Sequence, residues 1–147
     1  MIIKSLEIDQ VSVEDMVKIK TLDKEHFPFP WTEELWRKSR SNNNYVIFHD
    51  PKCEAFAIFL LSPLEKLAHL TKIAVREESR GQGLASSILN ASHSQFRILG
   101  IERCILEVDT ENTSAIALYD KHGYKKIHLS KKFYSNGADA HIMEKHL

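Results

Sequence analysis

The sequence predicts a mixed α/β domain with a sheet of about seven strands flanked by about four helices. Three observations carry this. Apolar runs of strand length alternate with segments of helical periodicity. Turn residues at Asp50-Pro51 and Asn136-Gly137 join strand to strand, so antiparallel hairpins stand at both ends of the order. In the centre a strand, a helix and a strand follow one another, the order that returns a strand parallel to its predecessor.

Taken in order, "IIKSLEI" reads as the first strand. "SVEDMVKIKTLDKEHF" is a helix: Ser12 stands as its cap with Asp15 three residues on, and Val13, Met16, Val17, Ile19 and Leu22 recur at helical spacing. "FPFPW" stops it, because two prolines break a helix and stiffen the aromatic loop. Thr32 caps a short helix, "EELWRKSR". "NYVIFHD" and "CEAFAIFLLS" are the next two strands, and "LAHLTKIAV" is a third. A helix from about Gln82 to Leu99 carries Leu84, Ile88, Phe96 and Leu99 on one side, and Gly100 closes it. "ERCILEVD" is a strand. "NTSAIALYDKHG" is a helix capped by Asn112 and ended by Gly123. "YKKIHLSKKFY" and "ADAHIMEKHL" are the last two strands, with Asn136-Gly137 as their hairpin turn.

The 147 residues match one domain with one core, spanning 1–147. Apolar residues make up 43% and charged residues 27%, close to ordinary soluble usage. Lys plus Arg and Asp plus Glu each number 20, so no net field draws the chain to nucleic acid or membrane. The basic run "KKIHLSKK" reads as a solvated strand face. No run reaches the ~18 apolar residues of a membrane span, and the N-terminus lacks the pattern of a signal peptide. Cys53 and Cys104 fall in apolar, strand-like runs without CxxC or zinc-like Cys/His spacing. They are expected to be reduced core residues of a cytoplasmic protein that holds no metal.

Chemistry concentrates in two stretches. "REESRGQGLASSIL" follows an apolar strand and opens a helix. Arg80, Gly83 and Ala85 fit R-x-x-G-x-A, and the amides from about Gly81 to Ala85 can converge on a pyrophosphate. A plain glycine-containing connection is the competing reading. In "CILEVD", Glu107 interrupts an apolar strand: Cys104, Leu106 and Val108 share one face, and Ile105, Glu107 and Asp109 the other. Such a carboxylate is either an edge residue facing water or a cleft residue suited to general-base work. Asn112 and Tyr119, two helical turns apart with Ile116 between, share one helix side. Tyr119 is either core or a proton donor at a cleft mouth.

These segments together with "FYSNGADAHIM" resemble the GNAT N-acetyltransferases, most closely the N-terminal protein acetyltransferases of the ribosomal-protein-alanine type. "EHFPFPWTEELW" resembles their substrate-side loop, and the likeness runs from about Glu25 to the end. It implies the GNAT fold and an acetyl-CoA cosubstrate. Arg80, Gly81, Gln82, Gly83, Leu84 and Ala85 would hold the pyrophosphate. Ile73, Ala74 and Val75 would pair with the pantetheine arm, and Asn112 and Tyr119 would touch the cofactor further along. Glu107 would be the base and Tyr119 the acid that protonates the leaving thiolate. His69 stands where some relatives place a catalytic tyrosine. Phe29, Trp31 and Tyr134 would line the peptide groove.

The implied reaction is direct attack by a primary amine, most naturally the α-amino group of a protein such as a ribosomal protein. An α-amine with a pKa of ~8 must lose a proton before it attacks. The tetrahedral intermediate needs a donor, expected from a strand amide near Ala74. Neither cysteine has a histidine partner in a local motif, which disfavours a covalent route. Two other readings remain: an acetyltransferase of small amines, and a non-catalytic acyl-CoA-binding module. The sequence leaves oligomeric state open.

Overall fold

Strand alternation and helix capping account for most of the observed elements. The computed structural model describes residues 2–147. Strand β1 (Lys4–Glu7) leads through a 3-10 turn into helix α1 (Val13–His26), where the Ser12 side chain accepts from the Asp15 amide. Helix α2 (Glu33–Arg40) is capped by Thr32, whose oxygen accepts from the Leu35 amide. Strands β2 (Tyr45–His49), β3 (Ala55–Ser62) and β4 (Leu67–Val75) follow, then helix α3 (Leu84–Ile98). Strand β5 (Arg103–Asp109), helix α4 (Thr113–Lys121), strand β6 (Lys125–Ser130) and strand β7 (Ala140–His146) complete the chain.

The seven strands form one sheet in the order β1-β2-β3-β4-β5-β7-β6. All neighbours are antiparallel except β4 and β5, the expected parallel pair. Both faces are covered. On β3, Ala55, Ala57 and Phe59 join one core with Ile88, Leu89 and Phe96 of α3 and Tyr119 of α4. Phe56 and Ile58 join a second core with Met16, Ile19 and Leu22 of α1 and Trp36 of α2. Period-two alternation therefore sorts one strand's side chains into two cores, the reason β3 reads as a continuous apolar run. No described helix is long and apolar enough to cross a membrane.

Several expectations are corrected. Val13 and Val17 are 82% and 60% exposed, so α1 buries a narrower stripe than its apolar spacing suggests. Helix α3 begins at Leu84 rather than Gln82, because Gly83 is left-handed at φ 78°. Leu99 lies past its end and is solvent-exposed. Strand β6 stops at Ser130, well before Tyr134. Lys132 turns left-handed (φ 52°), and residues 131–139 form a loop in place of a two-residue hairpin. Within that loop Gly137 does make a turn, its amide donating to the Tyr134 carbonyl. The basic residues of β6 are exposed on the sheet edge, as a solvated face requires. Cys104 is buried on β5, whereas Cys53 sits in the connection before β3 with φ 56°.

Candidate active site

The site begins with a failure of strand pairing. β4 and β5 pair only at Leu67–Arg103, Ala68–Cys104 and His69–Ile105. Two residues further along β4, its register against β3 shifts between Ile58 and Phe59, which leaves Thr71 as the extra residue of a β-bulge. The Thr71 hydroxyl donates to the Ile58 carbonyl at 2.9 Å and fixes that kink. A bulge bends its strand and re-aims the following side chains. Here β4 departs from β5, and a cavity of about 640 Å³ opens between them. The β4 segment Ile73, Ala74 and Val75 forms one wall; Glu107 and Asp109 of β5 and Asn112, Ala115 and Tyr119 around α4 form the other.

The N-terminus of α3 closes one end. Gly81 and Gly83 both have positive φ (79° and 78°), which favours glycine, and a Cβ at either would meet no atom within 4 Å. Their requirement is conformational. Gly83 is the N-cap and supplies no side chain to the first-turn amides, and no acidic residue stands in that turn. Those amides and the positive end of the helix dipole are left for an external anion. Arg80, Gly81, Gly83, Leu84 and Ala85 all line the cavity; Gln82 is exposed and does not. Arg80 folds back on the wall, with Nε donating to the Val75 carbonyl at 3.2 Å and Nη2 to His26 Nδ1 at 3.2 Å. Burial first, then the Arg80 charge, holds the His26 pKa down.

Glu107 lines the cavity on a strand flanked by β4 and β7, so the edge-strand reading is ruled out. Its Oε2 accepts from His69 Nε2 at 2.6 Å. Both side chains keep some solvent access, 32% for His69 and 21% for Glu107. His69 is outside the cavity lining. The carboxylate accepts only, so Nε2 carries the proton and Nδ1 the lone pair when the ring is neutral. Glu107, the expected base, and His69, at the position where some relatives place a catalytic tyrosine, are hydrogen-bonded partners.

Tyr119 lines the cavity and is 5% exposed. Burial, and secondarily Tyr134, pushes its pKa well up, so the hydroxyl stays protonated. Ile116 packs against the α3–α4 core instead of facing the cavity. Asn112 caps α4, its Oδ1 accepting from the Ala115 amide at 3.3 Å; this commits the oxygen and leaves the amide N–H₂ group. Tyr134 is half-buried, and its pKa is pushed up to about 12 by burial and by the Glu107 and Asp109 carboxylates.

The Acetyltransferase (GNAT) family profile matches residues 13–124. The chain belongs to this family. An N-alpha-acetyltransferase of Saccharolobus solfataricus is 39% identical over 88 residues, 59% of this chain and 53% of the relative. The GNAT chain thus spans about half the length of that archaeal relative. The Escherichia coli [ribosomal protein bS18]-alanine N-acetyltransferase is 26% identical over 129 residues, 86% of each chain. The crystal structure of the Escherichia coli ribosomal-protein-S18-alanine N-acetyltransferase superposes with a TM-score of 0.83 at 25% identity, covering 99% of this chain and 94% of the other. Arabidopsis thaliana NAA60 in complex with acetyl-CoA has a TM-score of 0.83 at 15% identity and covers 99% of both chains, a likeness of fold.

The aromatic loop differs from expectation. Phe29 is 66% exposed, and neither it, Trp31 nor Tyr134 lines the cavity. Trp31 is taken up by the second core, edge-on to Trp36 at 4.9 Å and Tyr45 at 5.7 Å. His26 and Phe27 line the cavity instead. Sequence reading also missed Lys72. The bulge turns it to the α1 side, where Nζ meets Asp23 Oδ1 at 2.6 Å and lies 4.3 Å from the Phe27 ring centroid. Asp23 Oδ2 accepts from the Trp31 amide at 2.9 Å. This pair, 7% and 0% exposed, ties the loop to the cavity wall. Its signal was available: Lys72 interrupts an apolar strand just as Glu107 does. Cys53 does have a histidine neighbour, His49 Nδ1 at 3.5 Å. Neither lines the cavity, and burial, reinforced by Asp15, pushes the Cys53 thiol up to about 12, too high for a thiolate nucleophile.

Proposed function

We propose that the protein transfers the acetyl group of acetyl-CoA to the α-amino group of a protein N-terminus. One observation carries the reading: a cleft between splayed parallel strands has an uncapped, glycine-led helix N-terminus at one end and the His69–Glu107 pair at its side. The α3 amides and Arg80 would hold the pyrophosphate, and Ile73 to Val75, which have no partner on β5, would hydrogen-bond the pantetheine arm as an added strand. Asn112 would offer its amide N–H₂ group to that arm.

Glu107 takes the proton of the attacking ammonium, directly or through water, and His69 orients the carboxylate and shares the charge. A β4 amide near Ala74 stabilises the tetrahedral oxyanion. The amine nitrogen forms the new bond to carbon and gives up its second proton to solvent, the thioester C–S bond breaks, and Tyr119 protonates the departing thiolate and takes a proton back from solvent. Tyr134 and the Phe27 side of the aromatic loop would flank the peptide. The relatives named for N-alpha and ribosomal-protein alanine acetylation support a protein substrate.

The test is thiol release from acetyl-CoA with a panel of N-terminal peptides, including one that copies the first residues of an alanine-starting ribosomal protein, alongside lysine and polyamine controls. Turnover confined to free α-amines supports the reading. Turnover only with polyamines makes it a small-amine enzyme, and acetyl-CoA binding without turnover makes it a binding module.

A further inference from the structure

Arg80 lines the cavity just before the α3 N-terminus, and its side chain is held by two neutral acceptors. Nε donates to the Val75 carbonyl and Nη2 to His26 Nδ1, each at 3.2 Å. Glu78, two residues earlier, pairs with Arg76 instead. A guanidinium carries five N–H donors in one fixed plane, so two such bonds set its orientation and leave the other three for an incoming group.

The His26 contact has a defined chemistry. A guanidinium only donates, so Nδ1 of the neutral ring carries the lone pair and Nε2 the proton. Partial burial first, then the Arg80 charge, hold the His26 pKa below the usual histidine value, which preserves that lone pair; Asp23 opposes the effect and Lys72 adds to it. An aspartate or glutamate in the same place would also grip Arg80, but it would cancel the charge and repel an approaching phosphate. A neutral imidazole fixes the direction of the guanidinium and leaves its full charge for an external anion. His26 is also the last residue of α1. Its ring meets the Phe27 ring edge-on with centroids 4.6 Å apart, and both residues line the cavity.

We propose that His26 is a positioning residue for the cofactor: its Nδ1 holds the Arg80 guanidinium beside the α3 N-terminus, ready for the pyrophosphate of acetyl-CoA. The inference rests on the acetyl-CoA reading given above. His26 touches no reacting atom and acts through Arg80. The same hydrogen bond spans 54 residues of sequence and anchors the start of the aromatic loop to the phosphate end of the cavity. The loop that would flank the peptide is thereby tied to the side chain that would meet the cofactor.

The experiment is calorimetry of the full-length protein with acetyl-CoA and no peptide, on a cycle of His26→Ala, Arg80→Ala and the two together. His26 stands at the solvent-exposed end of α1, so these variants keep the fold. His26→Ala should weaken acetyl-CoA roughly 3- to 10-fold, the scale of a hydrogen bond to a charged group discounted for solvent exposure. His26→Asn, whose side-chain oxygen stands where Nδ1 does, should regain most of that loss. Adding His26→Ala to Arg80→Ala should cost nothing further, because no guanidinium remains to be held. Unchanged affinity in His26→Ala, His26→Asn as weak as His26→Ala, or full additivity in the double variant overturns the inference and leaves the acetyl-CoA reading standing. A wild-type protein that does not bind acetyl-CoA overturns both.

Discussion

At the scale of single residues, the 2.6 Å contact between Glu107 and His69 organises the proposed chemistry. Glu107→Gln keeps the shape and removes the proposed base, so kcat for peptide should fall by ~10²-fold or more while acetyl-CoA affinity stays near wild type. His69→Gln retains a donor to the carboxylate and should keep more activity than His69→Ala; equal loss in both would reduce His69 to packing. Tyr119→Phe removes the proposed proton donor and keeps the ring. A thiol of pKa ~8.5 leaves readily, so the loss should be on the order of 10 to 10³-fold in kcat, with KM for both substrates largely unchanged. Wild-type turnover would return Tyr119 to the core.

A fourth residue governs stability. His93 is buried, with Nε2 2.8 Å from the Tyr124 hydroxyl. Burial first, then the Lys145, His122 and Arg97 charges, depresses its pKa from 6.5 to about 3. The unfolded state therefore binds the proton first. Stability is fully present above the unfolded value and is lost as pH falls below it, by at most ~1.4 kcal/mol per pH unit down to the folded value. His93→Gln should flatten that dependence between pH 6 and 4 in urea titrations.

At the scale of elements, the bulge in β4 couples three features: it parts β4 from β5, it turns Lys72 toward α1, and it thereby seats the aromatic loop on the cavity wall. Asp23 is wholly buried and serves both Lys72 and the Trp31 amide. Asp23→Asn leaves a buried ammonium without its counter-charge and should cost ~3–5 kcal/mol in chemical denaturation. Asp23→Leu with Lys72→Met should recover most of that stability yet raise the peptide KM, because the loop loses its tether. The glycine turn before α3 predicts the complementary separation. Gly83→Asp puts an anion and a strained φ where the first-turn amides face the cavity. CoA affinity measured by calorimetry should collapse while the far-ultraviolet spectrum of the fold persists; unchanged affinity would move the pyrophosphate elsewhere.

At the scale of the molecule, the candidate functional surface is a gap in a sheet that is continuous everywhere else. The amino-acid sequence determined the elements on either side of the gap, because the signals involved are local. Ser12, Thr32 and Asn112 cap their helices through bonds reaching three residues ahead. Alternation put Cys104, Leu106 and Val108 into the core and Glu107 on the other face. The order strand, helix, strand returned β5 parallel to β4. The R-x-x-G-x-A spacing marked the glycine-led start of α3 for the same reason, since a left-handed glycine and a helix start are properties of adjacent residues. Tertiary structure alone decided what depended on distant partners. One inserted residue at Thr71 reversed which face Lys72 meets, and no pattern within "LAHLTKIAV" announces it. His69 and Glu107 are 38 residues apart and meet only because three paired positions set the register of β4 on β5. Phe27, and not Phe29 or Trp31, lines the cavity because the Asp23 carboxylate holds the Trp31 amide and the second core takes its ring. Local chemistry chooses helices, strands and caps; which side chains share a cleft is set by where the sheet stops pairing.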